Sequence, residues 1–378
     1  MRPFIVTGLG YGDEGKGTIV DALVRRYGLS LVVRHNGGAQ AAHNVWTEDG
    51  RHHTFSQFGS GTFVVGVKTL LSRFMLVNPG AMLNENQHLC TVGVVDAFSR
   101  TVIDCRARIT TPWHITLNRL KEAERGAARH GSCGMGIGET VADSLDRPDS
   151  ALLAGDLLKP DLHDKLTQTQ QALCCKYPRF SETLKQNTVN SAVTRMLEFA
   201  SVASIVSPKE TCRLIEGHAC VFEGAQGTLL DEDFGFHPHT TWSKTTDANA
   251  LLLLQEAEVL ARPVKFGVTR WYLTRHGDGP FRSEDVALNY LIADDDNETG
   301  EFQGVFRVGA MDIPLLRYAI KANSSVDYLA VTHLDKLTEA EAETTLNKLE
   351  FNSDIPVGVA SRGKTASRKH FYSYEMSC

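Results

Sequence analysis

The 378-residue chain has no long apolar run, so nothing in it reads as a membrane-spanning segment. Its eight cysteines (Cys90, Cys105, Cys133, Cys174, Cys175, Cys212, Cys220 and Cys378) include no Cys-x-x-Cys pair and no zinc spacing. The adjacent Cys174-Cys175 suits no ordinary disulfide framework, and the set reads as reduced thiols of a cytoplasmic protein. Basic excess is missing too. Lys and Arg number 39 against 45 Asp and Glu, a net charge of −6, which excludes a bulk field for nucleic acid but leaves room for a local phosphate site. No signal peptide is expected, because Met1-Arg2-Pro3-Phe4 runs directly into a strand-like segment. What is present, 42% hydrophobic and 22% charged residues, is a globular composition with enough length for a large core.

The most informative stretch is Gly8-Leu9-Gly10-Tyr11-Gly12-Asp13-Glu14-Gly15-Lys16-Gly17-Thr18. Apolar Phe4-Ile5-Val6 precedes it and Ile19-Val20-Asp21-Ala22-Leu23-Val24, spaced for a helix, follows. Strand, glycine turn and helix together lay backbone N–H groups and a helix N-terminus against phosphates. Gly10-x4-Gly15-Lys16 nearly completes a P-loop, yet Gly17 stands where Ser or Thr would ligate Mg²⁺. The nearest hard oxygen ligand is Asp13, inside the loop, where a carboxylate is costly unless it binds metal or takes a proton.

A second buried strand, residues 29–33, is expected parallel to the first and ends in Arg34-His35-Asn36-Gly37-Gly38-Ala39-Gln40-Ala41-Ala42-His43-Asn44. Small residues around one histidine at a strand's carboxyl end suit a ligand site in an α/β sheet. Residues 62–67 and 74–77 read as short strands, 108–111 as another, and 117–129 as a charged amphipathic helix. Gly131-Ser132-Cys133-Gly134-Met135-Gly136-Ile137-Gly138 is either a phosphate contact or a flexible connector. Helices with polar faces are expected over 145–200, and strand, turn and helix again over 221–231. His237 and His239 without a third ligand make a weak metal signal. Residues 328–332 read as a last buried strand. Asp335 after it either accepts two hydrogen bonds from a guanine edge or caps a helix over 336–350.

Taken in order, the first loop, 37–43, 131–138, Phe222-Glu223-Gly224-Ala225-Gln226-Gly227-Thr228-Leu229-Leu230-Asp231, 274–281 and 332–335 resemble the adenylosuccinate synthetase family nearly end to end. The resemblance implies an α/β fold with a large, mostly parallel central sheet, flanking helices and small subdomains, akin to P-loop GTPases. One domain over 1–378 is expected, with a helical insertion at about 145–200 and a short C-terminal nucleotide-binding portion at about 325–378. It implies a homodimeric, Mg²⁺-dependent ligase that uses GTP to join L-aspartate to C6 of IMP through a 6-phosphoryl intermediate. Asp13 would be the catalytic base and His43 would stabilise the transferring phosphoryl, with Asp13 and the Ala42 carbonyl holding the metal.

GTP contacts carried over are Gly12, Glu14, Gly15, Lys16, Gly17, Thr18, Ala42 and Asn44 on the first loops, then Arg307, His333, Asp335, Ser361 and Gly363. Purine-nucleotide contacts are Asp13, Lys16, Gln40, Ser132, Cys133, Gln226, Leu230, Thr241 and Trp242, with Arg147 reaching across the dimer. Aspartate would be met by Asn297, Thr299, Gly300, Gln303 and Arg307. The chain departs from the family pattern at Gln40, Cys133, Met135, Trp242, Lys244 and His333, and keeps only Arg307 of an arginine cluster after Asn297. These departures resemble a small branch that includes phage enzymes acting on dGMP. The same chemistry on dGMP or another 6-oxopurine, or GTP binding without ligation, therefore stand as alternatives.

Overall fold

The computed structural model describes residues 2–292 and 304–372. In chain order its strands begin with β1 (Phe4–Gly8), β2 (Leu31–Arg34), β3 (His43–Trp46), β4 (His52–Phe55), β5 (Lys68–Leu71), β6 (Leu76–Val77), β7 (Thr101–Asp104) and β8 (Arg108–Ile109). They continue with β9 (Ser204–Val206), β10 (Cys220–Glu223), β11 (Val264–Arg270), β12 (Leu273–His276), β13 (Phe306–Gly309), β14 (Tyr328–Thr332), β15 (Val357–Ser361) and β16 (Lys369–Phe371). Ten of these form one sheet in the order β16-β15-β14-β11-β1-β10-β2-β5-β7-β9. Every pairing in it is parallel except β15 with β16. The expected large, mostly parallel sheet is therefore what the chain forms.

Burial of both faces explains the apolar runs. Phe4 and Val6 of β1 pack against Ile19, Val20, Leu23 and Val24 of the helix Lys16–Tyr27. Ile5 points the other way, into a cluster with Leu31, Val33 and Phe222 and with Leu253 of the helix Ala248–Glu256. The period-2 alternation of a strand thus feeds two cores at once. The first helix stops at Gly28, whose φ of +60° lets its N–H turn back to the Val24 carbonyl. A separate core, drawn from residues 45 to 199, gathers Trp113, Leu166 and Phe199 from the helices Pro112–Arg125, Leu162–Lys176 and Val189–Val202.

Three expectations are corrected. Residues 62–67 form turns rather than a strand, with Val65 93% exposed, and the strand follows as β5. After β10 the chain makes only a single 3₁₀ turn, Thr228–Leu230, instead of a helix. Asp335 caps nothing: it lies in the short turn Leu334–Lys336, and the helix Glu339–Ser353 is capped by Thr338 in a reciprocal box with Glu341. Of the aspartate-loop residues, Asn297, Thr299, Gly300 and Gln303 lie outside the described residues.

The parallel strands deliver their following loops to one edge of the sheet. Segments 9–15, 35–42, 224–227, 271–272 and 333–335 leave β1, β2, β10, β11 and β14 at their carboxyl ends, the edge at which such sheets bind ligands.

Candidate active site

Asp13 and Glu14 meet different surroundings. The Glu14 carboxylate is buried, accepting the N–H of Gly10 (3.0 Å) and Gly12 (2.8 Å) and the Lys16 ammonium at 2.6 Å. Asp13, at φ +62°, keeps its carboxylate 27% exposed. Its carbonyl accepts Arg270 Nε at 2.7 Å, and one carboxylate oxygen lies 3.3 Å from His276 Nε2. Gly15 starts the helix at φ +89°, and the Thr332 hydroxyl donates to the Glu14 carbonyl at 2.7 Å. Gly17 answers the P-loop oddity. A Cβ there would fall 2.7 Å from His43 Cβ and 2.9 Å from Ser60 Oγ, so β3 packs where a Ser or Thr side chain would stand.

His43 opens β3, and its Nδ1–H donates to Glu223 Oε1 at 2.6 Å. Glu223 ends β10, fully buried, and also accepts the Ser60 N–H at 3.0 Å and the Ser60 hydroxyl. Burial alone would raise this carboxyl's pKa, but Arg34 at the end of β2, His43 and Ser60 outweigh it and hold it at about 2. Burial in turn lowers the His43 pKa, with Glu223 opposing. Neither Glu223 nor Arg34 stood out in the sequence as a partner of His43. The available signal was charge at the ends of two otherwise apolar strands.

Gln40 and Gln226 face a common space. Nε2 of Gln40 and Oε1 of Gln226 lie 3.3 and 3.4 Å from where a Gly37 Cβ would stand. Both amides are buried with neither end hydrogen-bonded. Their loops are tied by Asn36, which donates to the Ala225 carbonyl (3.0 Å) and accepts the Ala225 N–H (2.8 Å). Two orphaned amides at one place fit the polar edge of a ligand.

The other expected purine contacts gather partly. Ser132 donates to Asn118 Oδ1, which also accepts the Gly136 N–H. Burial pushes the Cys133 thiol up to about 11, so it is a neutral group here. The Thr241 N–H donates to the Leu230 carbonyl, and the half-exposed Trp242 lies against Gly138, 3.0 Å from where a Cβ would be. Arg147 is held by its own helix, in a two-pronged pair with Asp143 at 2.9 and 2.6 Å.

On the far side, three segments meet around the first helix. Thr18 Oγ1 donates to the Lys364 carbonyl (2.9 Å), Trp271 Nε1 to the His333 carbonyl (3.0 Å), and Lys369 Nζ to the carbonyls of Gly363 (2.6 Å) and Thr365 (2.9 Å). Ser361 Oγ reaches the Gly363 carbonyl at 3.4 Å, and Asp335 stands exposed. Asn44 is engaged inside its hairpin, accepting His52 Nε2 and the Thr54 hydroxyl, while Ala42 is exposed. Arg307 is pinned by Glu284 and by the Gly277 and Gly279 carbonyls, 3.0 Å each. Among the described residues no three His, Cys, Asp or Glu side chains converge as a metal centre, and His237 instead contacts the Glu232 carbonyl. No helix among them is long and apolar enough to cross a membrane.

A family model described as adenylosuccinate synthetase matches residues 5–352. The chain is 34% identical over 352 residues to the adenylosuccinate synthetase of Synechococcus sp. (strain WH7803), covering 90% of this chain and 78% of that one. It is 33% identical over 373 residues to that of Symbiobacterium thermophilum, covering 96% and 83%. In fold it is similar to the fully ligated adenylosuccinate synthetase from Plasmodium falciparum, with TM-score 0.84 and 20% identity over 98% of this chain and 100% of that one. It is also similar to a cyanophage S-2L succinoaminodeoxyadenylate synthetase bound to dGMP and dATP, with TM-score 0.72 and 16% identity over 99% and 96%. A match that runs from the first strand into the last long helix shows that this chain belongs to the adenylosuccinate synthetase family of ligases.

Proposed function

We infer that the chain is a GTP-dependent ligase that joins the amino group of L-aspartate to C6 of IMP, giving adenylosuccinate, GDP and phosphate. The observation that carries this reading is Asp13, a loop carboxylate left accessible while its neighbour Glu14 is consumed by the loop. A C6 carbonyl oxygen is a poor leaving group, so it must be phosphorylated before an amine displaces it. Asp13 takes the N1 proton, O6 attacks the γ-phosphorus and GDP leaves. The amine then attacks C6 and expels phosphate. The orphaned amides of Gln40 and Gln226 suit the purine edge.

His43 suits the transferring phosphoryl group. With Nδ1–H engaged by Glu223, its Nε2 is left for the ligand. Burial keeps the free imidazole neutral, so the incoming polyanion is what favours the cation. The residues present fit a Mg²⁺ that arrives with the triphosphate: Gly17 has no hydroxyl, and Asp13 with the Ala42 carbonyl would hold it. When bound, the metal neutralises charge on the phosphoryl oxygens. Cytoplasmic location and a homodimer, with Arg147 exchanging Asp143 for the partner's nucleotide monophosphate, complete the reading.

The exposed Trp242 and the lengthened Gln40 side chain favour one second reading, the same chemistry on dGMP. The test is an acceptor screen: GTP, Mg²⁺ and aspartate with IMP, dIMP, GMP or dGMP in turn, following phosphate release. Release with IMP above the others is expected. Release with dGMP alone moves the chain to the second reading, and GTP binding with no release from any acceptor overturns both.

A further inference from the structure

Strand β12 lies along the phosphate loop residue by residue. Leu273 meets Gly10, with Cδ2 3.6 Å from where a Cβ would stand, and the Arg275 guanidinium sits 4.4 Å from the centre of the Tyr11 ring. Thr274 reaches the Gly12 carbonyl at 3.5 Å, and His276 lies 3.3 Å from the Asp13 carboxylate. Each residue of β12 therefore answers one residue of the loop, and His276 falls on the acid that the sequence motif leaves unexplained.

We propose that His276 is a positioning residue for Asp13, holding one carboxylate oxygen so that the other is presented to the purine. This rests on the reading of Asp13 as the base. The ring is fixed from behind: it packs 5.0 Å from the Phe306 ring, and Nδ1 is buried with no hydrogen-bond partner. With Nδ1 turned into the protein, Nε2 is the ring nitrogen left beside the Asp13 carboxylate, 3.3 Å from its oxygen. The Asp13 carbonyl is held independently by Arg270, whose guanidinium also donates to the Tyr272 hydroxyl at 2.6 Å. Backbone and side chain of the base are thus steadied from two neighbouring strands, β11 and β12. A flexible exposed acid would otherwise sample several rotamers, and misplacement of a reacting group by about 1 Å costs roughly 100-fold in rate.

The experiment compares His276→Leu, which removes the polar contact, with His276→Gln, whose amide nitrogen takes the place of Nε2. His276→Leu is expected to lower kcat roughly 10- to 100-fold while KM for GTP stays within about two-fold and the melting temperature is unchanged. His276→Gln is expected to recover most of the loss. A wild-type kcat in His276→Leu, or a His276→Gln as slow as His276→Leu, overturns the proposal. Should the unaltered chain turn over no 6-oxopurine, the functional reading falls first. The contact is then judged by crystal structures with GDP and Mg²⁺: an Asp13 side chain pointing the same way in the chain and in His276→Leu sinks it, and a swing to a new rotamer supports it.

Discussion

Asp13 and Glu14 carry the same functional group on adjacent residues, and their surroundings separate their roles. Replacing Asp13 by Asn should cut turnover by about 10²- to 10⁴-fold with no change in melting temperature, because its carboxylate is partly solvated. Glu14→Ala should instead act on folding. It strips the buried Lys16 ammonium of its counter-charge, a loss of about 3–5 kcal/mol readable as a shift in urea midpoint. His35 gives a pH dependence of its own. It is fully buried with both ring nitrogens unpartnered, and burial, aided by Arg34, drags its pKa to about 3. A folded-state pKa below the unfolded one means the unfolded chain binds the extra proton. Stability should therefore fall as pH drops from the ordinary histidine value of about 6.5 towards 3, by about 1.4 kcal/mol per pH unit from this group. His35→Phe should flatten that slope in denaturation curves taken across the range. The loop acid was legible in the sequence because a carboxylate in a phosphate turn is chemically odd. His276 and Glu223 were not, since only the fold brings residues 263 and 180 positions downstream onto Asp13 and His43.

The helix Lys16–Tyr27 and β3 fix each other through a missing side chain. Gly17→Ser would restore the hydroxyl that a P-loop uses, yet the added Cβ meets His43 and Ser60 below 3.0 Å. The expectation is a loss of about 1–3 kcal/mol together with falling activity, checked by thermal melts beside the phosphate-release assay. Unchanged stability would mean that β3 yields easily at this point. The same kind of closeness explains one element that sequence patterning gets wrong. Residues 221–231 look like strand, turn and helix, but a Cβ at Gly227 would fall 2.2 Å from the Gly10 carbonyl. The chain stays extended against the phosphate loop before its single turn at Thr228–Leu230. Residues 62–67 mislead differently: β-branched composition there serves a turn, and pairing with β2 begins only at Lys68. Buried parallel strands such as β1, β2 and β14 are legible because both of their faces are covered and almost every position is apolar or small, Arg34 at the end of β2 being the charged exception.

At the scale of the molecule, the proposed nucleotide contacts join segments 12–18, 332–335 and 361–369, which no local pattern relates. A ligand spanning them stabilises the folded chain alone. GTP with Mg²⁺ at 100 times its Kd should add about 2.7 kcal/mol, seen as a raised melting temperature, and ATP should add less because Asp335 prefers a guanine edge. Equal shifts from both would remove Asp335 from base selection. Strand order lay beyond the sequence for a plain reason: β1 is flanked by β10 and β11, more than 200 residues away along the chain. That placement governs biosynthesis. A ribosome must release residue 270 before the first strand has both neighbours, so β1 emerges with both edges uncovered and waits for the middle of the chain. Nascent chains stalled before β11 should be open to proteases throughout residues 1–30, and those stalled after the helix Glu339–Ser353 should resist them.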